Sequence, residues 1–368
     1  MSDRNKILVI LTGGTICSEA DESNENQSNA KNASKKIISS FKESKSPFAD
    51  AVEFDTRSLR EDILSENMTI SVWNELLDIF RDKSIWTNYN GVIVLHGTDT
   101  LAYTSSLLSL VLAGAPIPVC MVSAQLDLSH KETNGFANFN ASVELIMNGI
   151  EPNVYVVYRN MIDSRNPYAS NGELFVHYGS HILQCTNYNH NFFSEDAEKI
   201  SDKNNAKLKG RAFETNSFLL DKIGNLSDEV MLIQPYVGLK YSILDITGVK
   251  AIVHGTYHSD TVCVERKKPN ESNDNYTDGS ILYLLEKAKK LNIPVIISPC
   301  NKDAYTYTST GDALRNGALG LFGTTLESAY IKAVIGVALG LKADELIDFL
   351  GKSINFEFVY TEKTGEKM

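Results

Sequence analysis

The sequence predicts an α/β protein, with a mainly parallel sheet carrying helices on both faces and a second, smaller α/β domain. Three observations predict it. Short, nearly all-apolar runs at 6–11, 91–95, 118–122 and 154–158 alternate with segments of helical period, as in a sheet covered on both faces. A chain of 368 residues exceeds one ordinary domain and has room for two cores. Strand and helix patterns resume beyond a charged, Gly- and Asn-punctuated stretch at 201–225. The expected division is therefore a catalytic domain over 1–200, a linker over 201–225 and a second domain over 226–368.

Taken in order, 6–11 is a first strand, too short for a signal or membrane segment. Residues 18–36 are polar without apolar period and predict an exposed, mobile loop, placed to act as a lid. Met68, Val72, Leu76, Leu77 and Phe80 recur at helical spacing, so 67–81 predicts a helix with Thr69 or Ser71 as its cap. Strand 91–95 and helix 100–112 follow, then strand 118–122, helix 134–147 and strand 154–158. Residues 173–177 open a small hairpin. Past the linker come strands at 230–234, 251–254 and 294–298, a helix at 279–290 and terminal helices at 326–341 and 343–350.

Charge and composition narrow the function classes. The net charge is −11 and the isoelectric point near 5.2, which argues against a nucleic-acid or anionic-membrane surface and favours a small neutral or zwitterionic partner. No run approaches the roughly 18 apolar residues of a membrane span. Five scattered cysteines without a Cys-x-x-Cys pair give a disulfide framework little support and suit a reducing cytoplasm.

The chemistry concentrates at two strand-to-helix corners. The first strand runs into Thr12-Gly13-Gly14-Thr15, and strand 91–95 into His96-Gly97-Thr98-Asp99. In an open α/β sheet such corners lie at the carboxyl ends of the strands, where ligands bind. Amide cleavage needs a nucleophile, an activating group and donors for the developing oxyanion. A Thr hydroxyl after two glycines and a hydroxyl beside a carboxylate supply parts of that set. Taken singly, TGGT also suits a tight turn or phosphate loop, although it lacks the G-x-G-x-x-G and Gly-Lys-Ser/Thr spacings. Thr98 and Asp99 also suit helix capping. The His177/His181 and His254/His258 pairs have i, i+4 spacing but no Glu of an H-E-x-x-H, so a metal site has little support.

TGGTI at 12–16 and HGTDT at 96–100, in this order, resemble the two signatures of the bacterial-type L-asparaginases, a family that includes the amide-hydrolysing subunits of some tRNA-dependent amidotransferases. Residues 65–68, 113–125, 133–138 and 295–325 also resemble family blocks. The resemblance implies that Thr15 is the nucleophile that forms an acyl-enzyme and Thr98 the second catalytic threonine. It implies further that Ser65 and Asp99, with Gly14 and Gly97, bind the substrate amino acid. Asparagine hydrolysis without cofactor or metal by a homo-oligomer, dimer or tetramer, is the implied activity, with glutaminase or mixed activity as an alternative. Two family parts have no counterpart: no Tyr occurs between Thr15 and Tyr89, and no Lys between Lys131 and Lys199. Lys131, Tyr178 and His181 are the candidate substitutes. A non-catalytic amino-acid sensor that retains Ser65 and Asp99 is the rival from another class. Cys17 reads as packing, and His258-Ser259-Asp260 as a polar turn.

Overall fold

The computed structural model describes residues 5–20, 26–163, 165–166, 172–200, 208–267, 276–300 and 307–359. The chain divides into two compact units, Met1–Lys222 and Ile223–Met368.

The first unit is built on β1 (Lys6–Gly13), whose Ile7, Leu8, Val9 and Ile10 are fully buried. A strand with both faces apolar can be stable only with cover on both sides. A short hairpin of β2 (Ser18–Ala20) and β3 (Asn26–Ser28) follows, then α1 (Ala30–Lys42) and β4 (Glu53–Ile63). Next come α2 (Ile70–Phe80), α3 (Ile85–Asn88), β5 (Gly91–Leu95), α4 (Leu101–Val111) and β6 (Val119–Val122). The unit continues with α5 (Gly135–Met147), β7 (Val154–Arg159), β8 (Leu174–Tyr178) and β9 (Glu198–Ile200). The sheet order is β4-β1-β5-β6-β7-β8-β9. Its first five strands are parallel, and β8 and β9 run antiparallel at the far edge. The mainly parallel class expected from the sequence is the class observed.

One face of this sheet is closed by α1 and α5. Phe41 of α1 meets Phe54 of β4 edge-on at 5.7 Å and Phe139 of α5 at 6.3 Å. Apolar residues at 30, 33, 37 and 41 give α1 its buried stripe. On α2, Thr69 caps the helix by accepting from the Val72 amide at 3.4 Å. The Trp73 indole of α2 donates to the Thr104 hydroxyl of α4 at 3.0 Å, joining these two helices. Of the stretch read as a linker, 201–207 lie outside the described residues. Beyond them, Glu151 donates its amide to Lys209, Phe213 to Pro152 and Phe218 to Ala113, so 208–218 are fastened to the first unit.

One expectation needs correction. The segment 18–36 is not a featureless loop: it carries the β2-β3 hairpin and the first turns of α1, with 21–25 outside the described residues. Asn29 starts the helix, its side chain accepting from the Asn32 amide, and Asp62 accepts from the Ala30 amide at 2.9 Å. β4 is an element the sequence reading did not include, because as an edge strand it gives no apolar signal. Only Leu59 along it is buried, and Asp55 and Arg57 are paired at 2.7 Å with Lys6 and Asp82.

The second unit holds β10 (Val230–Ile233), β11 (Ala251–His254), α6 (Ile281–Lys290) and β12 (Val295–Cys300). It ends with α7 (Thr308–Arg315), β13 (Leu319–Phe322), α8 (Leu326–Ala338) and α9 (Ala343–Leu350). Its sheet is parallel throughout in the order β10-β11-β12-β13. Ile281, Leu284 and Leu285 of α6 share a core with Ile252, Val295 and Ile297, while α8 packs along β10, β11 and β12. Residues 258–260 belong to a turn closed by the Asp260 amide on the Tyr257 carbonyl at 2.9 Å. Among the described residues, no helix is long and apolar enough to cross a membrane.

Candidate active site

The sheet order fixes where a ligand can enter. The chain leaves β1 for β4 on one side and returns to β5 on the other, so a topological switch point lies between the carboxyl ends of β1 and β5. The two corners singled out in the sequence flank that crevice. Gly14 and Gly97 meet there backbone to backbone. A Cβ on Gly14 would stand 2.3 Å from the Gly97 Cα, and Gly14 itself has φ 79°, a conformation that disfavours side chains. A Cβ on Gly97 would lie 2.4 Å from the Ser65 Oγ. Three segments far apart in sequence are thus pressed together, and Thr15 and Thr98 each follow directly on the touching glycines.

Ser65 and Asp99 form a reciprocal clamp. The Asp99 amide donates to Ser65 Oγ at 3.2 Å, and that hydroxyl lies 3.2 Å from the Asp99 carboxylate, to which it donates. Ser65 is buried and Asp99 exposed, so the clamp orients a carboxylate that still faces solvent. The Thr100 hydroxyl donates to the Ser65 carbonyl at 2.9 Å and closes the arrangement. Neither Thr98 nor Asp99 is consumed by capping: the N-cap of α4 is Thr100, whose side chain caps nothing.

Thr15 opens a one-turn 3₁₀ segment and is half-buried. The Gly14 amide donates to the Ile63 carbonyl at 2.7 Å, while the Gly14 carbonyl accepts from the Cys17 amide and the Ser18 hydroxyl, both at 2.9 Å. The approach to Thr15 is therefore rigid. Cys17 is fully buried, and burial pushes its thiol up to about 12, so it packs and does not act as a nucleophile at neutral pH.

His96 is fully buried beneath the same corner. Its Nδ1–H donates to the Gly97 carbonyl at 2.7 Å, and burial lowers its pKa to about 4, so the ring is neutral. Register puts Ser123 and Tyr158 in its row, since each directly follows a member of the Leu95, Val122 and Val157 row. His96 Nε2, Ser123 Oγ and Tyr158 OH are all buried without a hydrogen-bond partner among the described residues. A polar floor thus underlies the rim, and sequence reading had no signal for it beyond Ser123 at a strand end. Burial also pushes the Tyr158 phenol well above its ordinary range.

Two of the candidate substitutes for the missing Lys, Tyr178 and His181, do not converge on this crevice. Tyr178 pairs in register with Tyr155, at the opposite end of β7 from Arg159, and donates to Glu198 at 3.2 Å. His181 is buried against Asp196 at 2.8 Å, and Lys131 is exposed. The residues 133–138 brace the rim from below. Asn134 and Gln125 exchange two bonds of 3.1 Å, and Asn138 accepts from the Arg159 amide at 2.7 Å and donates to the Ser123 carbonyl at 2.8 Å. The residue that does reach the second corner is Gln184, which contacts the backbone of both Thr98 and Ala102. Among the described residues, no group of three or more His, Cys, Asp or Glu side chains is arranged to hold a metal ion.

The asparaginase N-terminal family model matches residues 6–205, more than half of the chain and all of the crevice just described. The chain belongs to the asparaginase family. Among curated relatives it is 24% identical over 372 residues to a glutamyl-tRNA(Gln) amidotransferase subunit of Methanosphaera stadtmanae, covering 97% of this chain and 78% of that one. It is also 29% identical over 158 residues to an L-asparaginase of Thermococcus kodakarensis, covering 43% of this chain and 45% of that one. Solved structures agree on the asparaginase fold. The thermostable L-asparaginase of Thermococcus kodakarensis superposes with a TM-score of 0.70 at 18% identity, over 97% of this chain and all of that one. A probable cytoplasmic L-asparaginase of Campylobacter jejuni gives 0.65 at 17% identity, over 95% and 99%. This membership, with the fold, supports an amidohydrolase-type enzyme.

Proposed function

We propose that this asparaginase-family protein hydrolyses the side-chain amide of L-asparagine to L-aspartate and ammonia. Thr15 is the nucleophile and Thr98 the second catalytic hydroxyl; no metal or organic cofactor takes part. The observation that carries the reading is the contact of Gly14 with Gly97, which brings the two threonines to one switch-point crevice beside the Ser65–Asp99 clamp. In this reading the Asp99 carboxylate receives the substrate α-ammonium, and Ser65, turning its one hydroxyl proton from Asp99 to the substrate, holds the α-carboxylate with nearby backbone amides. A charge-assisted pair of that kind gives orientation as well as affinity. The Thr15 hydroxyl attacks the carboxamide carbon, ammonia leaves, and water releases the acyl group from Thr15 with Thr98 handling the proton or the water. Gly14 and Gly97 let the backbone approach the substrate closely. A soluble, cytoplasmic homo-oligomer, dimer or tetramer, completes the proposal.

The match to an amidotransferase component along almost the whole chain favours a second reading, in which the same site releases ammonia for a partner protein. Ammonia release measured on the purified chain with asparagine and then glutamine, alone and with calorimetric binding in parallel, separates the readings. Turnover of asparagine by the chain alone is the expected result. Binding without ammonia would point to a sensor or to a subunit that needs its partner, and the absence of both signals would remove the substrate class.

A further inference from the structure

Gln184 comes from the segment after β8, yet its carboxamide is seated in the first turn of α4. Its Nε2 donates to the Thr98 carbonyl at 2.7 Å, and its Oε1 accepts from the Ala102 amide at 3.1 Å. Both partners are backbone groups of fixed polarity, so the orientation of the carboxamide is set by chemistry. Those groups have a special relation. A carbonyl at 98 and an amide at 102 are the i and i+4 pair that an α-helix would bond directly. The first bond that α4 makes itself runs from the Thr104 amide to the Thr100 carbonyl at 3.1 Å; the side chain stands where the bond of a helix begun at Thr98 would be, spanning the gap with a group that has the same donor and acceptor as a peptide unit.

The local backbone agrees with an opened turn. Thr100 has φ −131° and ψ 18°, outside the helical region, and the Leu101 amide reaches the Thr98 carbonyl only at 3.5 Å. Were the turn closed, Thr98 and Asp99 would be drawn into the helix and away from Gly14 and Ser65. We infer that Gln184 is a wedge residue: it keeps α4 from starting one turn earlier, at Thr98, and so positions the Thr98 hydroxyl and Asp99 carboxylate at the crevice. It is a positioning residue, acting through the backbone of Thr98, and its catalytic consequence rests on the reading of Thr98 and Asp99 given above.

The wedge also ties Thr98 to the fold in a way a lysine would not. Gln184 Nε2 lies 3.4 Å from the Cys185 sulfur, and burial, followed by the charge of Asp99, holds the Cys185 thiol above its ordinary range. The segment 184–185 thus lines the rim beside Thr98 and Asp99 with neutral groups.

Two substitutions test this. Gln184→Met keeps the length and removes both bonds; Gln184→Glu keeps the shape and replaces the donor with an anionic acceptor facing the Thr98 carbonyl. A crystal structure of the Gln184→Met protein is expected to have a direct hydrogen bond from the Ala102 amide to the Thr98 carbonyl, whatever the activity; an unchanged open turn overturns the wedge. In the amidase assay, both variants are expected to fall at least about tenfold in kcat/KM relative to wild type. A protonated carboxyl restores both a donor and an acceptor, so the deficit of Gln184→Glu should shrink as pH is lowered through the carboxylate range, while that of Gln184→Met stays constant. A purely structural role would not produce this difference between the two profiles. If wild type turns over amides and both variants remain within twofold of it at every pH, the wedge is wrong. If wild type itself releases no ammonia, the functional reading fails and the crystal structure alone decides the wedge.

Discussion

At the scale of single residues, the crevice depends on backbone contacts that only glycine permits. Gly97→Ala would drive a methyl to 2.4 Å from Ser65 Oγ, so Ser65 or the Gly14 turn must retreat. The variant is expected to fold but to lose at least about 10²-fold in amide turnover, the scale on which a misplacement of about 1 Å acts; activity within threefold of wild type would contradict the contact. Burial of neutral imidazoles gives a second prediction. His96 and His177 each titrate near 4 in the folded first unit, both chiefly because of burial, whereas the unfolded chain takes up those protons near 6.5. Across that window the unfolded state binds more protons, so stability falls as pH drops from about 6.5 to about 4. Each site contributes on the order of 3 kcal/mol at the acid end. Thermal melts from pH 7 to pH 4 should therefore descend, and more shallowly for His177→Gln; a flat wild-type profile would refute the assignment.

At the scale of elements, legibility followed burial. The apolar β5 was readable to its terminal residues, and β11 and α9 likewise, because their cores write an uninterrupted or periodic apolar pattern. β4 was not readable, since ten of its eleven side chains are not buried and its pairing is carried by backbone bonds to β1. α1 was hidden for a different reason: its buried face relies on Ala30, Ala33 and Ser34 in a stretch rich in Asn, Lys and Ser, and small residues look polar at low density. The cost of losing its anchor can be measured. Phe41→Ala removes a fully buried ring that touches Phe54 and Phe139 and is expected to cost about 3–5 kcal/mol in urea unfolding. A loss below about 1 kcal/mol would mean that α1 is not part of the core. The site divided in the same way. Thr15, Thr98, Asp99 and Ser65 could be singled out as candidates because the motifs that carry them are local runs of sequence. Gln184 was not, since its two bonds join residues 86 and 82 positions apart and nothing near it in sequence marks it. The substitutes Tyr178 and His181 were misplaced by the same limit, because the antiparallel course of β8 carries them away from the rim.

At the scale of the whole molecule, membership of the asparaginase family and a fold shared over nearly the full chain give the crevice an amidohydrolase setting. The proposed homo-oligomer predicts a sedimentation mass at least twice 40.7 kDa at micromolar concentration, and a strictly monomeric species would remove it from the proposal. The absence of a lysine between Lys131 and Lys199 bears on rate, because a positioned acid or base is worth roughly 10² to 10⁴. The most direct measurement is ammonia release from asparagine by wild type beside Thr15→Ala, with asparagine binding followed calorimetrically in both. The expected result is turnover in wild type, a loss of at least about 10³-fold in Thr15→Ala, and binding retained in the variant, since the Ser65–Asp99 clamp is untouched. Equal ammonia release by the two proteins would contradict a Thr15 nucleophile.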